Sequence, residues 1–196
     1  QLLRKMAQEW VAVGGQVLGF YGVVYFGNVH YIYRDINWAI QLAKEFNVPN
    51  VFIDVEVDAI DIGVLASRPT AGQRIAELKS VRARVEQAGL QPWIYTYRSF
   101  WQIQMGNNTQ FSNLPLWFAA YGPGGAPRSG IRELGNLAFG GWTKCDIHQY
   151  TSTLNRCNRG RDHNYLWVEL ERDDEHMSSA EFTRVVNAMF GSEERL

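Results

Sequence analysis

Apolar and polar residues alternate over Val51–Asp58, the signature of a β-strand. Successive strand side chains point to opposite faces. Val51, Ile53, Val55 and Val57 are therefore expected to pack under helices, leaving Phe52, Asp54, Glu56 and Asp58 on the other face. Helical and strand periods take turns on either side of this run. Leu2 to Ala12 has a helical pattern, and Gln16 to Phe26 that of a strand. Asp35 is expected to cap a helix whose Ile36, Ile40, Ala43 and Phe46 share a face and which ends at Asn47-Val48-Pro49. Thr70-x-x-Gln73 forms a capping box ahead of the stripe Ile75, Leu78, Val81, Val85, Ala88, and Gly89 stops that helix.

Further strands are expected at Pro92 to Tyr97, Leu114 to Tyr121, Asp146 to Thr151 and Asn164 to Val168. Asp173-Asp174-Glu175 marks a turn, and Ser178-x-x-Glu181 opens a last helix carrying Phe182, Val185, Val186 and Met189. The alternation predicts an α/β fold with a largely parallel sheet, held in one domain over residues 1–196. Residues 175–196 are its C-terminal helix or the start of a linker. Some six strands are expected, against the eight of a complete (β/α)8 barrel of about 250 residues, so the barrel is irregular or incomplete.

Composition narrows the function classes. With 46% hydrophobic and 20% charged residues the chain is a folded globular protein, and a net charge of −1 gives no electrostatic pointer to nucleic acid or an anionic membrane. The apolar stretch from Trp10 to Phe26 is broken by Gly14, Gly15, Gly19 and Gly22, so it is expected to be a helix end, a turn and a buried strand, not a membrane span. The start, Gln1-Leu2-Leu3-Arg4-Lys5-Met6, has neither an initiator Met nor a secretory leader pattern, as in a processed chain or fragment. Cys145 and Cys157 are a disulfide or two free thiols. With His148 and His163 they loosely resemble a zinc site, but Cys145 and His148 would face opposite ways on a strand. None of His30, His148, His163 and His176 has a catalytic pairing, and no cofactor is expected.

Asp54 and Glu56 carry the sharpest chemical signal. Their Cα atoms lie about 6.6 Å apart on a rigid strand, and two carboxyl groups so placed can act on the two sides of one scissile bond. Burying an acid pair is costly enough to imply a purpose, although a solvated strand end would carry such residues too. Trp93, Tyr95 and Tyr97 share one strand face, as do Trp117, Ala119 and Tyr121, so Tyr95, Trp117 and Tyr121 are either sugar-stacking walls or barrel packing.

Several stretches, in order, resemble glycoside hydrolase family 25, the Chalaropsis-type lysozymes of bacteria, phages and some fungi. Val17-Leu18-Gly19-Phe20-Tyr21 resembles the family's G-x-Y strand, Phe52-Ile53-Asp54-Val55-Glu56 its D-x-E strand, and Pro92-Trp93-Ile94-Tyr95-Thr96 its I-Y-T strand. Leu116-Trp117-Phe118-Ala119-Ala120-Tyr121 resembles L-W-x-A-x-Y. His148-Gln149-Tyr150-Thr151-Ser152 resembles W-Q-Y-T-S with His for Trp, and Asp162-His163-Asn164 the D-x-N that follows. The resemblance implies hydrolysis of the β-1,4 bond between N-acetylmuramic acid and N-acetylglucosamine in peptidoglycan glycan strands, in a secreted, cell-wall or phage-associated protein. It implies Glu56 as general acid, kept protonated by repulsion from Asp54, and Asp54 as the group assisting the substrate N-acetyl oxygen. Tyr21, Tyr95, Trp117, Tyr121, Gln149 and Asp162 are the implied substrate-binding residues. Family members begin with an Asp-bearing strand, a second strand and a helix. This chain is expected to start inside that helix, so a preceding segment or another phage or cell-wall protein is expected to complete the site.

Two other classes stay open. One is a non-catalytic wall-binding or phage structural module. The other is a metal nuclease, because D-x-E on a strand also opens a two-metal constellation.

Overall fold

The computed structural model describes residues 2–123, 128–156 and 159–166, with side chains up to Thr151. The expected final helix from Ser178, the Asp173-Asp174-Glu175 turn and Cys157 lie outside the described residues.

The elements are α1 (Leu2–Ala12), β1 (Gly19–Phe26), α2 (Val29–Glu45), β2 (Asn50–Asp58), α3 (Ala71–Gln87), β3 (Gln91–Thr96), α4 (Arg98–Gln104), β4 (Leu116–Ala119), β5 (Ile147–Arg156) and β6 (Arg159–Leu166). They form one six-stranded sheet in chain order. β1 to β5 are parallel, and β6 folds back antiparallel on β5. The fold is α/β, an incomplete and irregular barrel. No helix among the described residues is long and apolar enough to cross a membrane.

Period-two patterning gives the sheet two apolar faces. On the outer face Val51, Ile53 and Val55 of β2 pack with Ile36, Ala39 and Ala43 of α2 and Leu78, Val81 and Val85 of α3. On the inner face Phe52 packs with Ile147, Trp93 and Trp117. The Tyr21 and Trp117 ring centroids are 6.1 Å apart although β1 and β4 are three strands apart, about 14 Å on a flat sheet. The sheet is therefore strongly curled. Gly22 lets α2 close on its outside, because a Cβ there would stand 3.0 Å from the Asp35 carbonyl oxygen.

The capping box between Thr70 and Gln73 and the left-handed stop at Gly89 (φ 77°) are where the residue pattern puts them. The start of α2 is not. Asn28 caps it, its side chain accepting the His30 N–H at 3.0 Å, so Asp35 lies inside the helix and pairs with its neighbour Arg34. The seven-residue α4 was not expected, and β6 begins at Arg159, ahead of the expected 164, while residues 167 and 168 lie outside the described residues.

One irregularity in β2 shapes everything after it. The β1–β2 ladder is regular through Val23 with Asp54, but Tyr25 pairs with Val57. Val24 thus faces both Val55 and Glu56, a β-bulge. The β2–β3 ladder stops at Asp54 with Tyr95, and the Thr96 hydroxyl donates to the Val55 carbonyl at 2.7 Å. Past the bulge the alternation reverses. Asp58, expected on the acid face, turns to the helix layer and is fully buried. It accepts from Arg74 Nε (2.7 Å) and Nη2 (2.6 Å) and from Arg68 Nη1 (2.9 Å). Arg74 is itself buried and also donates to the Gln104 carbonyl at 3.0 Å, tying α3 to the end of α4.

Removing Asp58 leaves a buried guanidinium without its counter-charge. Asp58→Ala is expected to destabilise the fold by about 3–5 kcal/mol in urea unfolding. Asp61→Ala, which removes an exposed partner of Arg68 and the acceptor of the Asp58 N–H but strands no buried charge, is expected to cost clearly less. Equal costs would contradict this division.

Candidate active site

Asp54 and Glu56 lie on either side of the bulge and meet different surroundings. Asp54 is 2% exposed. The Tyr21 hydroxyl donates to its Oδ2, whereas Oδ1 is buried with no hydrogen-bond partner among the described residues. Burial, and secondly the charge of Glu56, push the Asp54 carboxyl up to about 8 against the opposing effect of the Tyr21 hydrogen bond. Asp54 therefore holds a proton at neutral pH. The like-charge argument from sequence assigned that proton to Glu56. Desolvation acts on Asp54, the deeper of the two, and raises its carboxyl as well.

Around Asp54 the inner face is aromatic. Tyr95 meets Tyr21 at 5.7 Å and Trp117 at 5.1 Å between centroids, and Trp117 meets Phe52 at 5.1 Å, all edge-on. The Tyr95 hydroxyl donates to Gln149 Oε1 at 2.7 Å, with both residues buried. Burial first, then Glu56 and Tyr121, raise the Tyr95 phenol well above its ordinary range. Tyr95, Trp117 and Gln149 thus form a braced floor beside Asp54.

Glu56, only partly buried, lies where two cavities adjoin. The larger, about 610 Å³, continues over Phe118, Ala119, Ala120, Tyr121 and Leu137. The smaller, about 350 Å³, is more polar and continues past Asp61 and Arg68. Both share Tyr97 and Ser99 with Glu56. Of the sequence-derived substrate residues, Tyr121 lines the larger cavity. Tyr21, Tyr95, Trp117 and Gln149 line neither. Asp162 falls within β6, and its side chain lies outside the described residues.

His148 braces the wall of the larger lobe. Its Nδ1 accepts the Ile131 N–H at 3.1 Å, so Nε2 carries the ring proton and donates to the Ala120 carbonyl at 2.8 Å. Burial lowers its basicity, and the neutral tautomer is the one both bonds require. Cys145 Sγ donates to the Ile131 carbonyl at 3.0 Å, and burial pushes its thiol up to about 12. These two side chains hold backbone segments together. The described residues contain no group of three His, Cys, Asp or Glu able to hold a metal, and Asp58 faces away from Asp54 and Glu56. Cys157 and the His163 side chain lie outside the described residues.

Sequence reasoning passed over Tyr97, Arg98, Ser99 and Gln102 as cavity-lining residues. Their signal was position: they follow the C-terminal end of β3, where the loops of (β/α) barrels gather site residues.

Comparison with known proteins bears on the family and the fold. Residues 11–157 match the family model described as "Glycosyl hydrolases family 25". The chain is similar to the "Probable GH family 25 lysozyme 2" of Dictyostelium discoideum, with 31% identity over 94 residues, covering 47% of this chain and 41% of that one. It is also similar to the "Probable GH family 25 lysozyme 5" of that organism, with 33% identity over 73 residues, 37% of this chain and 31% of that one. The chain thus spans less than half the length of either relative. In fold it is similar to the spore cortex lytic enzyme SleM of Clostridium perfringens (TM-score 0.52, 19% identity, covering 83% of this chain and 52% of that one). It is likewise similar to the CTP1L endolysin (TM-score 0.53, 17% identity, covering 92% and 55%).

The raised Asp54 carboxyl has a measurable consequence. Between about pH 4 and pH 8 the native state keeps a proton that the unfolded chain has released, so this group lowers stability as pH rises through that window. Asp54→Asn is expected to raise Tm relative to the parent by an amount that grows from pH 4 to pH 8, reaching at least about 1 kcal/mol, or roughly 2–4 °C. A Tm difference independent of pH would contradict it.

Proposed function

The chain belongs to glycosyl hydrolases family 25, and on that footing we propose that it hydrolyses the β-1,4 bond between N-acetylmuramic acid and N-acetylglucosamine in peptidoglycan. The observation that carries this reading is the place of Glu56, where the two cavities adjoin, with Asp54 two residues away beneath Tyr21. A glycan strand laid along both lobes puts one glycosidic bond over Glu56. Glu56 is the general acid and Asp54 assists the substrate acetamide.

The proton belongs to the pair. In the free protein it sits on Asp54. A bound acetamide N–H supplies the donor that buried Oδ1 lacks, which favours the Asp54 carboxylate. The sugar also covers Glu56, which favours its neutral acid. The proton then lies on Glu56 and passes to the leaving sugar oxygen as the glycosidic bond breaks. The acetamide oxygen bonds to the anomeric carbon, giving a cyclic cation stabilised by ionised Asp54. Water opens that ring and returns a proton to Glu56. The short spacing of two carboxyls on one strand suits this internal nucleophile better than the wider gap an inverting water needs.

Turbidity loss and reducing-sugar release from purified cell walls test the proposal. Glu56→Gln is expected to lower the rate by about 10²–10⁴-fold without changing the thermal melt. Wall binding with no release of reducing sugar by the parent chain would instead support a non-catalytic module.

A further inference from the structure

Arg98 opens α4 directly after β3 and lines the larger lobe beside Glu56. Its Nε is buried with no hydrogen-bond partner, and no carboxylate among the described residues pairs with it. Five other arginines of the described residues are held by carboxylates. Arg74 and Arg68 share Asp58, Arg68 also holds Asp61, and Arg4, Arg34 and Arg82 each hold a carboxylate. An unpaired guanidinium with a buried, unsatisfied donor is costly to keep, and a planar anion offering two oxygens satisfies it best. Apart from Arg98 and Glu56, the lobe is lined by neutral side chains such as Gln102, Phe118, Tyr121 and Leu137. Glu56 repels an incoming anion when ionised, and Arg98 is the cation on the same wall that offsets it.

We propose that Arg98 is a specificity-determining residue, recognising a carboxylate carried by the sugar bound in the larger lobe. This deepens the muramidase reading and rests on it: of the two sugars of the glycan, N-acetylmuramic acid alone bears an acid, a free carboxylate wherever no peptide is amide-linked to it, so Arg98 places a peptide-free muramic acid unit in this lobe. The smaller lobe lacks such a group, because Arg68 is neutralised by Asp58 and Asp61.

Calorimetry on the full chain with Glu56→Gln, which binds without turnover, tests this. The probes are a tetrasaccharide of alternating N-acetylglucosamine and N-acetylmuramic acid with free lactyl carboxylates, and the same sugar with each carboxylate converted to its amide. The acid form is expected to bind about tenfold or more tightly than the amide. Adding Arg98→Gln is expected to abolish that ratio, and Arg98→Lys, which keeps the charge but loses the fork, to reduce it. An unchanged ratio in Arg98→Lys, or in a folded Arg98→Gln, overturns the proposal, as does equal binding of the two probes by the chain with Arg98 intact. Wall cleavage by the parent is read in parallel. A parent that cleaves while its Glu56→Gln form ignores the carboxylate refutes the role of Arg98 alone. Discrimination without cleavage supports Arg98 and refutes the hydrolase. Binding of neither sugar refutes both.

Discussion

One extra residue in β2 opposite Val24 separates the fates of three acids that follow one another at every second position. Before the bulge, Asp54 stays under the curled sheet, where burial outweighs the hydrogen bond from Tyr21 and keeps the carboxyl protonated. At the bulge, Glu56 opens where two cavities adjoin. Beyond it, Asp58 turns outward and is consumed by Arg74 and Arg68. A regular strand would have set all three on one face, with three like charges crowding one cleft. Chemistry that needs an acid and an assisting carboxylate needs this inequality, because two equivalent carboxyls cannot take different parts.

The surroundings hold these assignments in place. Tyr95, Trp117 and Phe52 fill the space beside Asp54 edge to edge, excluding the water that would lower its affinity for a proton. Asp58 with Arg74 joins β2 to α3, and through the Gln104 carbonyl to α4, so the helix carrying Arg98 is fixed from the same strand that carries Glu56. His148 does the matching service on the far wall, spending both ring nitrogens on the backbone at Ile131 and Ala120. Rigid walls matter because a glycan strand must be held within a fraction of an ångström of the acid for proton transfer to compete with dissociation.

Much of this was legible in the residue pattern, and what was not has identifiable causes. The two faces of β2 up to Glu56 follow from period two, and α3 follows from its capping box and apolar stripe. The bulge was invisible because it is a property of the ladder with β1, which the side chains of β2 do not encode. Asp58 was misplaced for that reason, and its partner Arg74, which is not among the apolar residues that mark α3, is buried with it. Which carboxyl holds the proton depends on depth: like-charge repulsion is symmetric between Asp54 and Glu56, and desolvation is not. Arg98 escaped notice because a lone arginine has no periodicity, and its meaning comes from partners it lacks. The largely parallel sheet did emerge, with β1 to β5 parallel.

The account depends on a neutral Asp54 in the free protein. Carbon-detected NMR of the Asp54 side-chain carboxyl across pH 3 to 10 reads it directly. The account predicts a titration midpoint near 8 for the free chain. A midpoint in the ordinary carboxylate range near 4 would contradict it, for then burial beneath Tyr21 would not set the division between the two acids.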